Sequence, residues 1–140
     1  MGIRAEDNLA LPLVELLVAA ANRIIDLDGL KELNDREGHH AGDAFLCLAA
    51  EVLRQTVGPT DVIARTGGDE FAVLVSPAQE VGATALAARL RDKLHAVGIG
   101  HAVGSSTVRE GEPLATTWVR ADRRMYADKA ARTGAAMRQR

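Results

Sequence analysis

Arg65-Thr66-Gly67-Gly68-Asp69-Glu70-Phe71 lies between two short stretches rich in apolar and β-branched residues, Asp61-Val-Ile-Ala-Arg-Thr66 and Phe71-Ala-Val-Leu-Val75. This pattern predicts a β-hairpin with the Gly-Gly pair at its tip, where a tight turn requires positive φ angles. Side chains alternate along a strand, so Asp69 and Glu70 are expected on opposite faces, and at most one is then a direct ligand in a shared pocket. An ordinary surface hairpin with a solvated acidic edge has the same local pattern.

A second acidic constellation lies upstream, Ile24-Ile-Asp-Leu-Asp-Gly-Leu-Lys-Glu-Leu-Asn-Asp35, followed by Gly38-His-His-Ala-Gly-Asp43. Ile24, Ile25 and Leu27 form a short apolar run that Asp28-Gly29 breaks, which places Asp26 near the carboxyl end of a buried strand. Ligands of α/β sheets collect at such ends. Taken singly, Asp28-Gly29 reads as a turn and Asn34-Asp35 as a helix stop. Neither local reading accounts for a carboxylate at the end of an apolar strand.

Together these residues resemble the diguanylate cyclase family, the GGDEF domain, whose name is the pentapeptide Gly67 to Phe71. The family's Asp-x-Asp-x-Phe-Lys-x-x-Asn-Asp stretch matches Asp26 to Asp35, with Leu30 in place of Phe, and Gly-His-x-x-Gly-Asp matches Gly38 to Asp43. Ala121-Asp122, Met125-Tyr126 and Ala127-Asp128-Lys129 are similar to its closing helix. The resemblance covers roughly residues 22 to 134.

The resemblance implies an α/β fold (an α+β sandwich) with a mixed, mainly antiparallel central sheet flanked by helices, palm-like as in nucleotide cyclases. It also implies condensation of two GTP into cyclic di-GMP with loss of pyrophosphate, by two copies facing each other as a homodimer. Mg²⁺ or Mn²⁺ would be the cofactor, held by the Asp26 and Asp69 carboxylates and the Leu27 carbonyl, with Glu70 a further acidic member. Asn34 and Asp43 would read guanine, amides of Asp28, Gly29, Leu30 and Lys31 would hold phosphates, and Lys129 would contact the triphosphate. The family's Arg four residues after the Lys is Thr133 here, and Arg132, one position early and so about 100° around the helix, is the residue expected to take its place in binding substrate. Its feedback motif Arg-x-x-Asp is Gly58-Pro-Thr-Asp61, so Asp61 remains without the Arg and the usual product-inhibition site is expected to be absent. Arg54 is the alternative guanidinium for that site. The family's Asp-x-Leu-Thr-x-Leu-x-Asn-Arg segment has only a compressed counterpart, Asp7 to Leu13 with Asn22-Arg23. A noncatalytic GGDEF-like module that binds GTP or a protein partner is therefore the second reading.

Length and composition agree. The 140 residues suit a single domain, divided as a divergent amino-terminal helix (1–21), a family-like core (22–134) and a basic tail (135–140). With 47% hydrophobic but only 3% aromatic residues, the core must be aliphatic. No apolar run approaches the roughly 20 residues of a membrane helix, and no leader pattern opens the chain, so a cytoplasmic location is expected. Cys47, the only cysteine, excludes an internal disulfide or a thiolate cluster, and its neighbours Phe45, Leu46 and Leu48 suggest a buried helical thiol. Net charge is −2, yet residues 120 to 140 hold seven Lys or Arg against two Asp, a basic end complementary to the acidic loops. Nucleic-acid binding is not expected, because only Trp118 and Tyr126 in that region could stack on bases. Adjacent His39 and His40 cannot share a helix face and read as a solvated turn.

Periodicity predicts helices over Pro12–Asn22, Leu30–Arg36, Ala41–Val57, Pro77–Val97 and Pro113–Thr133, with Gly134 past the last end. The second long helix carries Phe45, Leu48, Ala49, Val52 and Leu53, and the third Leu86, Leu90 and Leu94. Strands are expected at Arg23–Leu27, on both sides of the hairpin, and within Val97–Thr107.

Overall fold

The computed structural model describes residues 21–75 and 83–138. In chain order these form β1 (Ala21–Leu27), α1 (Leu30–Glu37), α2 (His39–Thr56), β2 (Val62–Arg65), β3 (Glu70–Val75), α3 (Ala83–Ala96), β4 (His101–Thr107) and α4 (Leu114–Arg138). The strands make one four-stranded sheet in the order β2-β3-β1-β4. Its three pairings are all antiparallel, so no parallel pair accompanies the antiparallel sheet among the described residues.

β1 is central because its Ile-Ile-x-Leu run can be covered on both sides. Ile25 and Leu27 face α2 and α3, in one core with Phe71, Val73, Leu53, Leu90 and Leu94. Ile24 faces the opposite way, with Ala72 and Ala102 against Ala121 and Met125 of α4. Small residues on that second face let α4 lie close to the sheet. Gly104 is where the approach is tightest: a Cβ there would stand 1.9 Å from the Ala121 carbonyl oxygen and 2.3 Å from the Met125 nitrogen.

β4 is an edge of the described sheet, and its exposed peptide groups find side-chain partners. The Asp128 carboxylate accepts from the Val103 N–H at 2.9 Å, and the Arg91 guanidinium donates to the Val103 carbonyl at 3.2 Å. Arg91 and Asp128 close the circuit with a 3.0 Å ion pair. Burial works against the charged Asp128 carboxyl, but the Val103 N–H and the Arg91 guanidinium together outweigh it and hold the group below its ordinary value. A depressed folded value stabilises above the unfolded pKa, and that contribution disappears as pH falls through the folded value. We expect Asp128→Asn to lower stability by about 1–2 kcal/mol at neutral pH, a figure reduced for the partial exposure of Arg91. Urea midpoints of the two proteins should converge on acidification; a constant gap down to acid pH would refute this assignment.

Several expected boundaries move. Ala21 and Asn22 belong to β1, not to a first helix, because the neighbouring strands β3 and β4 pair with them; the rest of that helix lies outside the described residues, as does the start of the expected Pro77–Val97 helix. α4 runs through Gly134 to Arg138, so neither a stop at Gly134 nor a separate tail begins there. His39 and His40 open α2 and are exposed. Cys47 is exposed, not buried: α2 turns Gly42, Leu46, Ala49, Val52 and Leu53 inward, which leaves Cys47 and Leu48 outside. Gly67 and Gly68 do not adopt positive φ, for positive-φ glycines among the described residues are Gly29, Gly38, Gly98 and Gly111. The connection from Arg65 to Glu70 is wider than a two-residue turn. Arg65 straps it by donating to the Gly67 and Gly68 carbonyls at 3.1 and 2.9 Å.

Candidate active site

The end of β1 and the tip of the β2–β3 hairpin meet. The Leu27 N–H donates to the Asp69 carbonyl at 2.8 Å, which fixes the strand end against the tip. In register, Asp26 stands opposite Glu70. Their side chains therefore share the face covered by α4, while Asp69 lies just outside the strand yet near enough for its charge to act on Asp26, Glu70 and Lys129. Asp69 thus differs from Glu70 in lying in the turn, and its charge acts on both Asp26 and Glu70.

α4 brings the cations. Ala121, Met125, Lys129 and Arg132 follow one another at three- or four-residue steps, hence along one helix face. The first two cover the sheet; the last two extend past the ends of the strands. Lys129 Nζ donates to Asp26 Oδ2 at 3.1 Å, and Arg132 grips Asp28 with Nη1–Oδ2 at 2.9 Å and Nη2–Oδ1 at 3.3 Å. Thr133 turns its hydroxyl back to the Lys129 carbonyl, at 3.0 Å.

Burial pushes the Asp26 carboxyl up, and the Asp69 charge adds to this, against the hydrogen bond from Lys129. The bond to Asp26 in turn raises Lys129. Burial also raises Glu70, despite a 2.9 Å hydrogen bond from Thr66 Oγ1, and Asp122 contributes in the same direction. Asp26 is only 8% exposed, and its Oδ1 has no hydrogen-bond partner. A buried carboxylate oxygen without a donor, beside a second carboxylate, has the character of a hard-cation ligand. Among the described residues no three His, Cys, Asp or Glu side chains form a metal-binding group. The expected set needs only two carboxylates and a carbonyl, which suits an ion that keeps several waters.

Helix α1 starts at Leu30, immediately after the Asp28-Gly29 turn, where Gly29 takes φ +82°. The N–H groups of a first helical turn lack intrahelical acceptors, which leaves Gly29, Leu30 and Lys31 suited to an anion. The Asp28 amide departs from the expected phosphate cradle because it donates to the Gly100 carbonyl at 2.8 Å. Asn34 on α1 lies against Gly42 on α2, so close that a Cβ on Gly42 would be 1.8 Å from Asn34 Oδ1. That oxygen is buried without a partner, and Asp43 follows on the exposed side. Asp61 accepts from the Gly58 N–H at 2.9 Å and so closes its own turn. Arg54 bonds Glu51 within α2.

Sequence reasoning missed three partners. The charge of Asp122 acts on Glu70, Asp28 is the acceptor of Arg132, and Asp128 holds Val103. Asp28 was marked in the sequence for its amide and not for its side chain, and Asp122 and Asp128 carried as signal their proximity to Lys129 on the same helix.

An antiparallel sheet with a carboxylate-bearing strand end, an acidic hairpin tip and a cationic covering helix has the architecture of a palm-like α/β domain. Residues 19–135 match the family described as diguanylate cyclase, GGDEF domain, and the chain belongs to it. It is 36% identical over 111 residues to the bifunctional diguanylate cyclase/cyclic di-GMP phosphodiesterase MucR of Pseudomonas aeruginosa, covering 73% of this chain and 16% of that protein. It is 31% identical over 109 residues to the probable diguanylate cyclase DgcJ of Escherichia coli, covering 75% of this chain and 22% of DgcJ. Among solved structures, the GGDEF domain of TpbB (YfiN) from P. aeruginosa superposes with a TM-score of 0.76 at 31% identity, over 88% of this chain and 82% of that one. The chain thus spans less than a quarter of either curated relative. No helix among the described residues is long and apolar enough to cross a membrane.

Proposed function

We propose that this domain condenses two GTP into cyclic di-GMP with release of two pyrophosphates, acting as a pair of facing copies. The observation that carries the reading is the buried, partly unpartnered Asp26 carboxylate beside Asp69 and bridged to Lys129. Asp26, Asp69 and the Leu27 carbonyl would hold a Mg²⁺ or Mn²⁺ ion, which would supply charge neutralisation for the triphosphate and a lowered pKa for the attacking hydroxyl. Gly29, Leu30 and Lys31 amides and the Lys129 ammonium hold phosphate oxygens. Asn34 and Asp43 offer guanine an amide and a carboxylate. The 3′-oxygen of the nucleotide in one copy attacks the α-phosphorus in the other, and the bond to pyrophosphate breaks. Glu70, raised by burial, is suited to accept the hydroxyl proton. A second attack closes the ring. The Gly58-for-Arg change argues against the family's usual product-inhibition site, since no guanidinium at 58 can clasp a guanine edge.

Incubation with GTP and Mg²⁺, followed by chromatography, should yield cyclic di-GMP. GTP binding without product would instead establish the noncatalytic module, a reading favoured by Thr133 and by the commitment of Arg132 to Asp28.

Gly42→Ala tests the base pocket. The new methyl must displace the Asn34 amide, and losing one two-point base contact should weaken GTP binding about tenfold or more. Titration with a fluorescent GTP analogue reads this; unchanged affinity would remove Asn34 from the pocket.

A further inference from the structure

We infer that Arg132 is a positioning residue that acts through Asp28, holding the turn at which α1 begins instead of touching the substrate's phosphates. The kinetic part of this inference rests on the cyclase reading above; the structural part does not.

The Asp28 side chain is held at both oxygens by Arg132, at 2.9 and 3.3 Å. Its main chain is held as well, through the 2.8 Å bond from its N–H to the Gly100 carbonyl. Asp28 also fits closely against β4's approach: a Cβ at Gly100 would come within 2.9 Å of Asp28 Oδ2. Three elements thus converge on one residue, the end of β1, the loop before β4, and α4. Directly beyond it lies Gly29 at φ +82°, then the first helical amides of α1. A planar guanidinium with two parallel bonds to a carboxylate fixes orientation as well as distance, which an ammonium cannot do. Arg132 Nε is itself buried without a partner, so the side chain is set by its hold on Asp28 and not by a bond along its stem.

The arrangement resolves the one-residue displacement of this cation. At 133 a side chain lies about 100° further round the helix, and Thr133 there bonds its own backbone. At 132 the guanidinium follows Met125 and Lys129 on the face toward the strand ends, where Asp28 stands. Both terminal nitrogens of its fork are turned to the Asp28 carboxylate, and the direct phosphate contact is assigned to Lys129 and the amides. Holding the turn in place before nucleotide arrives lowers the ordering cost of binding.

The test uses the nucleotide-free chain and Arg132→Gln, Arg132→Lys, Asp28→Asn and the Asp28→Asn/Arg132→Gln double variant. Hydrogen exchange is read at the Asp28 amide, bonded to Gly100, and at the Leu33 amide, bonded to Gly29, with β1 amides as the control for global folding. Arg132→Gln and Asp28→Asn should each accelerate exchange at Asp28 and Leu33 about tenfold, with β1 unchanged, and the double variant should add nothing further. Arg132→Lys should recover only part of the protection. In steady-state assays Arg132→Gln should raise KM for GTP several-fold with kcat within about twofold. Unchanged exchange in Arg132→Gln overturns the inference, and a raised KM beside unchanged exchange would make Arg132 a direct phosphate ligand. A wild-type chain that makes no cyclic di-GMP defeats the cyclase reading alone, for the exchange arm still decides the role of Arg132. Loss of β1 protection in Arg132→Gln would show a global structural role and also overturn it.

Discussion

Asp26→Asn is expected to reduce cyclic di-GMP synthesis by at least about 10³-fold while the domain stays folded. The substitution keeps the size of the side chain and an oxygen for Lys129, whose bond to Asp26 Oδ2 is 3.1 Å. It removes the charge a divalent ion needs. The carboxylate is costly where it stands, since burial and Asp69 both raise it. A neutral amide relieves that cost, so the thermal midpoint should hold or rise even though the ion pair with Lys129 is lost. A site that gives up stability for chemistry behaves this way. Asp69→Ala should abolish synthesis as well, with less effect on packing because Asp69 lies in the turn. Product chromatography alongside a thermal melt separates the outcomes. If Asp26→Asn keeps more than a tenth of the wild-type rate, Asp26 is not a metal ligand and the proposed mechanism fails with it.

Gly104→Val is expected to be the most damaging single change to the fold, costing about 3 kcal/mol or more. Any Cβ at 104 meets the Ala121 carbonyl and the Met125 backbone at 1.9 to 2.9 Å, and backbone cannot rotate away as a side chain can. α4 would have to lift from the sheet over Ile24, Ala72 and Ala102. The consequence reaches the site, because the same helix carries Lys129 and Arg132. Circular dichroism with urea titration should show a large drop in midpoint, and any variant that still folds should have lost GTP affinity. A Gly104→Val protein of wild-type stability would mean that α4 is not seated against β4 as described.

Much of the architecture was legible because it depends on neighbours along the chain. The Ile24–Leu27 run, the Asp28-Gly29 break and the apolar flanks of Gly67-Gly68 gave β1, the start of α1 and the hairpin. Spacing of Leu86, Leu90 and Leu94 gave the buried face of α3. Errors arose where local pattern had competitors. Asn22 continues an apolar stretch whose spacing reads as helical, yet strand partners on both sides claim it. Gly134 has the look of a helix stop, and the helix passes through it to Arg138. Cys47 sits among apolar residues, but a helix of 3.6 residues per turn sends only part of such a cluster inward.

By itself the amino-acid order determined the family and the acidic motifs, since these are written in contiguous stretches whose chemistry does not depend on what they meet. Which cation answers which carboxylate was decided by the tertiary structure alone. Lys129 meets Asp26, and Arg132 meets Asp28, across 103 and 104 residues. Those meetings follow from the angle and closeness with which α4 crosses the sheet, and that closeness is set at Gly104, a residue with no side chain and no chemistry of its own.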